Sequence, residues 1–444
     1  MARYSVVKSL LIYNSELLLV LLLTFVAGFT APVLGVLVVL LLALLMVKAE
    51  KWSLLLVFFF AILTFSDSRL GIFSFSAMVK PLLTLLLGLL ALFFYSKPTG
   101  APRLFRSFAP FVLCAAYGLI YSPMLEVSAQ KVVSYAFIII LVPLLSYLAY
   151  KKDGLRFLEN IIFFLFLVMS VGLLLSFFFK EEMYLVGRFR GLLGNPNGLG
   201  LFITNGFLLY QLVRQKSPSL FSLNFRRVFV ALVFVSLLMS GSRQSIMVVL
   251  IFYSMGYIFK YSNWLGLISF LILAFGFEFL ISQIPTVTKL LGLDKTLRVE
   301  DIEQIKEGSG RAISWAFAWK EIQVDYFAAK GLNYTTYLFQ YWREEFRALN
   351  HMGNAHNSYL TVWLDTGVQG FLALFGGVIY HFIRLSKSNH TALPILCGLA
   401  FSFMYESWFA ASLNPYTIVV FIIISTMYIV DDEKKNSKKI EGND

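Results

Sequence analysis

Long apolar runs separated by short polar breaks dominate the chain. Runs near 10–28, 32–48, 52–66, 78–96, 107–121, 132–150, 158–179, 198–213, 228–240, 244–260, 263–281, 368–385, 392–411 and 415–430 approach the ~20 residues that cross a bilayer. The pattern predicts an all-α polytopic membrane protein with about 12–14 transmembrane helices. Runs 52–66, 228–240 and 244–260 are short, so one of them is expected to be re-entrant or broken. A single large polar insertion, 282–355, carries helical patterns at Ala312 to Ile322 and Tyr334 to Arg347 between turn signals at Gly308-Ser309-Gly310 and Gly331. It reads as a folded lid of helices, in which Trp315, Phe317, Trp319, Tyr337, Phe339 and Trp342 require burial. The chain thus divides into an N-terminal bundle (1–281), the loop with its following helix (282–367), C-terminal spans (368–430) and a solvated tail (431–444).

Composition agrees. With 59% hydrophobic and 14% charged residues, against about 45–50% and about 25% in soluble proteins, the chain is excluded from the water-soluble class. Cys114 and Cys397 lie in apolar runs without a C-x-x-C pair, so neither a disulfide framework nor a thiolate metal site follows. Arg3 and Lys8 before the Leu17 to Ala27 run mimic a signal peptide, but the many later spans favour an uncleaved first helix.

Charge fixes the expected orientation. The net charge of +12 is distributed unevenly: of 37 Lys and Arg, nine lie in 282–355, where nine acidic residues balance them. Seven (Arg69, Lys80, Lys131, Lys180, Arg188, Arg190 and Arg243) lie in short loops or helix ends on one side, and the other 21 on the opposite side. Basic residues are retained in short cytoplasmic loops, so both termini are expected inside and the 282–355 segment outside. This distribution gives no reason to expect a nucleic-acid partner.

Arginine at a membrane interface is costly unless paired or functional. Arg188 and Arg190 sit in Gly187-Arg-Phe-Arg-Gly191, a loop that continues through Gly194-Asn-Pro-Asn-Gly198 into a span. Arg243 occupies Ser240-Gly-Ser-Arg-Gln244, a tight outer turn, and Arg311 follows Gly308-Ser-Gly. Glycines permit close backbone approach, and Asn197 is placed to cap the next helix. Guanidinium groups beside helix N-termini suit the oxygens of a diphosphate without a metal; the plainer reading is that these arginines anchor the topology. In Asn354-Ala-His-Asn-Ser-Tyr-Leu360, Asn354 or Asn357 caps a short helix ended by Gly367-Val-Gln-Gly370, and His356 lies at its first turn. The dipole there disfavours imidazolium, so His356 is a candidate general base. His351, His381 and His390 read as structural, His390 without partners. No outer D-x-D, H-E-x-x-H, P-loop or G-x-S-x-G motif is present, which weakens metal-dependent sugar transfer and ATP-driven transport.

Over roughly 185–385 these residues resemble the O-antigen ligase and polymerase family, membrane enzymes acting on polyprenyl-diphosphate-linked glycans. His356-Asn357 followed by Gly367-x-x-Gly370 looks like the histidine signature of the ligases. Arg188 with Leu192 is similar to their arginine-leucine motif, and Gly194-Asn-Pro-Asn, Gly241-Ser-Arg and Gly310-Arg resemble further blocks.

The resemblance implies a fold of the class used by lipid-sugar-dependent glycosyltransferases (GT-C) and an inverting, metal-independent, cofactor-free transfer at the outer face of the bacterial inner membrane. The donor would be an undecaprenyl-diphosphate-linked glycan, the acceptor a lipid A-core sugar (ligase) or a second lipid-linked glycan (polymerase), for lipopolysaccharide or surface polysaccharide. His356 would activate the acceptor, Arg188, Arg190, Arg243 and Arg311 would hold the diphosphate, and Asn197 and Asn357 would support them. A transporter or glycolipid flippase is the competing class; it calls for ionisable groups within spans, where Glu278 and Glu406 are the clearest acidic residues.

Overall fold

The computed structural model describes residues 14–94, 101–290, 311–348 and 353–441. Fourteen long helices account for the fourteen apolar runs. They are α1 (Ser15–Thr30), α2 (Pro32–Lys48), α3 (Trp52–Ser66), α4 (Ser74–Phe94), α5 (Ala101–Tyr117), α6 (Leu125–Asp153), α7 (Phe157–Leu175), α8 (Pro196–Lys216), α9 (Leu223–Ser240), α10 (Arg243–Ile258) and α11 (Asn263–Leu290). Then come α12 (Arg311–Val324), α13 (Tyr334–Tyr341) and α14 (Arg343–Ala348) of the lid, and the last three long helices, α15 (Ser358–Ser386), α16 (Ala392–Tyr405) and α17 (Pro415–Glu441). Among the described residues six helical stretches are long and apolar enough to cross a membrane, one of them covering both α6 and α7, and six further apolar helices are shorter. The protein is an all-α multi-pass membrane protein.

Local chemistry sets the helix ends. Pro32 and Pro196 occupy first helical turns, where proline's missing N–H costs nothing. Ser222 caps α9 by accepting from Phe225 N at 3.2 Å, and Gly241 ends that helix in the left-handed region at φ 58°.

Burial separates the inside of the bundle from its rim. In α3 every residue from Trp52 to Phe65 is buried, and α8 is buried almost throughout. α6 packs against α3, α4, α5 and α17, and α8 against α9, α10 and α17. The rim helices instead turn large apolar side chains outward, among them Leu22, Phe93 and Trp264, as a lipid-facing surface requires.

Four expectations need correction. The three short runs form unbroken helices; the break is in α15, at Gly367, whose φ of 69° and ψ of 174° interrupt the helical path. α11 continues to Leu290, so helix persists beyond the start of the polar insertion. The lid is helical, but of its six aromatics only Phe339 is buried; Trp315 and Phe317 are half-buried, and Trp319, Tyr337 and Trp342 are exposed. A single helical layer has only one inward face, whose small cores form around Ala318, Ile322, Leu338 and Leu364 and around Phe339, Phe346 and Ala355. Finally, His390 is not without partners, since Gln215 Nε2 lies 2.7 Å from its Nδ1. His381 is structural as expected, bonded to Ser107 of α5 at 2.6 Å and Tyr428 of α17 at 2.7 Å. His351, the turn Gly308-Ser309-Gly310 and the Glu278 side chain lie outside the described residues.

Candidate active site

Six segments of the chain converge at one end of the bundle. After α7 the chain makes a short hairpin, β1 (Tyr184–Leu185) and β2 (Arg188–Phe189), in register Tyr184 with Phe189 and Leu185 with Arg188. Its two-residue turn, Val186-Gly187, has φ of 49° and 70°, the positive pair that a type I′ hairpin turn demands. The expected loop is thus built as a paired hairpin, which projects Arg188 to the turn between α9 and α10. Arg188 donates its Nε to Ser240 O at 2.9 Å, and a side chain on Gly241 would meet that nitrogen at 3.4 Å.

The Asn-Pro-Asn stretch works differently from its sequence reading. Asn195, not Asn197, caps α8, accepting from Gly198 N at 2.7 Å. This leaves Asn197 available: it accepts from Arg188 Nη2 at 2.8 Å and donates its Nδ2 to Glu406 Oε1 at 2.9 Å. Beneath it, Tyr416 donates to Asp67 Oδ2 at 3.1 Å, and the Tyr416 hydroxyl lies 2.8 Å from where a Gly198 side chain would begin. A larger residue there would have to push the Tyr416 ring aside.

Glu406, which follows α16, is the hub. Besides Asn197, its Oε1 receives Arg311 Nη2 at 3.4 Å, and its Oε2 faces His356 Nδ1 at 3.1 Å. The loops carrying Glu406 and His356 are stitched together: Ser358 Oγ donates to Glu406 O at 2.7 Å and accepts from Phe409 N at 3.2 Å, and Asn354 Oδ1 accepts from His356 N at 3.1 Å and Ser407 Oγ at 3.3 Å. Asn357 caps α15 through Leu360 N at 3.1 Å, as its position suggested. His356, just before that cap, takes φ 44°, an unusual conformation for a residue other than glycine.

The electrostatics follow from this packing. Burial, then the like charges of Arg243 and Arg311, pull the Arg188 guanidinium below its ordinary range, with Glu406 opposing them. Burial alone would raise the Glu406 carboxyl, but the hydrogen bond and charge of His356, then Arg311 and Asn197, hold it below its usual value. Arg311 thus meets the carboxylate directly and Arg188 meets it through Asn197, with the charge of Arg243 close to Arg188.

Residues 228–375, from α9 into α15, match the family model Wzy_C, described as O-antigen ligase. Over this third of the chain the protein is similar to the O-antigen ligase family. The family region carries Arg243, Arg311 and His356; Arg188, Asn197 and Glu406 lie outside it and complete the cluster in three dimensions. No curated protein matches the chain.

Of the residues singled out in the sequence, Arg188, Asn197, Arg311 and His356 meet at Glu406, and Arg243 acts on Arg188 through its charge. Arg190 turns away, donating its Nε to Glu182 O at 2.9 Å. Glu406 is the residue of this cluster that sequence reasoning missed, having assigned it to the interior of a span. The available signal was an acidic residue closing an apolar run on the side of the unbalanced arginines, where a lone charge requires partners.

Proposed function

We propose that this protein is an integral membrane glycosyltransferase. It moves a glycan from undecaprenyl diphosphate to a sugar hydroxyl, either of a lipid A-core or of a second lipid-linked glycan, on the extracytoplasmic face of the bacterial inner membrane. The observation that carries this reading is the Glu406 cluster, which joins a histidine to guanidinium groups at one end of the bundle. Both termini lie inside in this reading, as the basic residues argue.

The chemistry divides between the two sides of Glu406. Arg188, Arg243 and Arg311 take the phosphate oxygens; Arg190 adds a peripheral charge. Glu406 Oε2 receives the Nδ1 proton of His356, which puts the ring's lone pair on Nε2. Nε2 accepts the acceptor's hydroxyl proton as that oxygen bonds to the anomeric carbon. The carbon–oxygen bond to phosphate breaks on the opposite face, its electron pair stays with the diphosphate, and the configuration inverts. The guanidiniums stabilise the departing charge and Glu406 stabilises the imidazolium, so the step needs neither a metal nor leaving-group protonation.

The test is conversion of lipid-linked glycan by purified protein in a membrane without any ion gradient. A new glycosidic product that disappears in His356→Ala is the expected result. Translocation of the glycolipid with no chemistry would overturn the reading in favour of a flippase.

A further inference from the structure

Glu406 divides its two oxygens between two sets of partners. Oε1 takes Asn197 Nδ2 at 2.9 Å and Arg311 Nη2 at 3.4 Å, while Oε2 faces His356 Nδ1 at 3.1 Å. Asn197 carries the first set one step further, to Arg188 Nη2 at 2.8 Å. The Oε1 partners are thus the groups on the donor side of the site, and the Oε2 partner is the base.

From this division we infer that Glu406 is a displaceable stand-in for the donor's diphosphate: Oε1 holds Arg311 and Asn197 until a phosphate oxygen takes them over, and Oε2 keeps His356 aligned throughout. The inference rests on the diphosphate reading above and adds a positioning role for Glu406.

Three features support it. A carboxylate oxygen and a phosphate oxygen offer a guanidinium the same acceptor chemistry, but only the phosphate brings several oxygens for a two-point fork. The Arg311 contact is single and long at 3.4 Å, so it is readily exchanged for a better one. Asn197 is bonded through both ends of its amide, and its Nδ2 carries two N–H donors, so it can pass from carboxylate to phosphate oxygen without turning away from Arg188. The carboxylate holds Arg311 directly and Arg188 through Asn197, and its negative charge opposes an incoming diphosphate.

This predicts opposite changes in two measurable quantities when the charge is removed. Glu406→Gln keeps the shape and one acceptor oxygen. Using the full-length protein with geranyl diphosphate as the probe in titration calorimetry, the glutamine variant should bind about ten- to a hundredfold more tightly, the worth of one charge-assisted bond. Its transfer rate on lipid-linked glycan should fall about a hundredfold, because His356 loses its charged partner. In an Arg311→Ala background most of the tightening should vanish. Glu406→Asp, which keeps the charge but draws it back by one methylene, should tighten binding by a smaller factor, and it serves as the readout if the glutamine variant does not fold. Unchanged or weaker binding in the glutamine variant, or unchanged binding in the aspartate variant when it alone folds, overturns the stand-in role and leaves the diphosphate site intact. Absence of binding in wild type and variants alike overturns both.

Discussion

Two carboxylates, one buried and one mostly so, are satisfied in opposite ways. Asp365, 1% exposed, takes its bonds from backbone and a short side chain: Asn333 N at 2.8 Å, Thr335 N at 2.7 Å and Thr335 Oγ1 at 2.7 Å. Lys131 braces the same segment through Asn333 Oδ1 at 2.7 Å. Glu406, 13% exposed, is held by the ends of three side chains from three different segments, while its own backbone carbonyl receives Ser358. Backbone amides cannot leave without unfolding their segment, whereas side chains can rotate to a ligand. The difference separates an anchor from a site: Asp365 fastens the lid to α15, and Glu406 holds groups that can be reassigned.

Variants should expose this contrast, and the largest effect is expected at the histidine. His356→Ala should lower turnover roughly 10²–10⁴-fold while the protein stays folded and still binds geranyl diphosphate; near-normal transfer would return His356 to a structural role. Asp365→Ala should do the reverse, costing about 3 kcal/mol of stability by stranding buried donors. Limited proteolysis of the lid would then cut between α12 and α13, and a variant as resistant as wild type would erase the distinction between anchor and site.

The arginines come next. Lysine keeps the charge but lacks the planar fork, so Arg188→Lys, Arg243→Lys and Arg311→Lys should each cost about 1.5–3 kcal/mol in kcat/KM. Arg190→Lys, which faces a backbone carbonyl, should cost much less. Equal tolerance at all four would make them topological anchors.

The smallest effect concerns acid. Because the folded Glu406 carboxyl titrates below its ordinary value, its contribution to stability is present above the ordinary carboxylate range and is lost as pH falls through the lowered value. The Tm difference between wild type and Glu406→Gln should therefore stay constant near neutrality and shrink only in acid. Shrinkage already at neutral pH would contradict the assigned ionisation.

Much of this architecture was legible because spans announce themselves by length and hydropathy, as α2, α3 and α10 do almost to the residue. His356, Arg188 and Arg311 were legible as polar residues that a membrane boundary tolerates only for a reason. Asn197 was found for the wrong reason. Proline prefers the first helical turn, so Asn195, immediately before Pro196, was the better cap on the same principles, and Asn197 was then left for the site. Glu406 was hidden because its partners are 209, 95 and 50 residues away, separations that no local pattern encodes. The lid's exposed tryptophans were misjudged because aromatic content signals a need for partners without specifying that protein must supply them.

The break at Gly367 has a consequence for how this protein opens. The irregular segment 326–330 of the lid fills the gap that the break creates: Val368 N donates to Tyr326 O at 2.9 Å, Gln369 Nε2 to Phe327 O at 2.7 Å, Trp363 Nε1 to Tyr326 O at 3.0 Å and Lys330 N to Asp365 O at 3.1 Å. Backbone groups of a membrane helix are thereby satisfied by backbone of the lid, and neither partner can be exposed without the other. In amide hydrogen exchange, the amides of Val368, Lys330, Asn333 and Thr335 should consequently behave as a single cooperative unit, protected together and released together, although two of its parts would ordinarily be classed as surface loop and transmembrane helix.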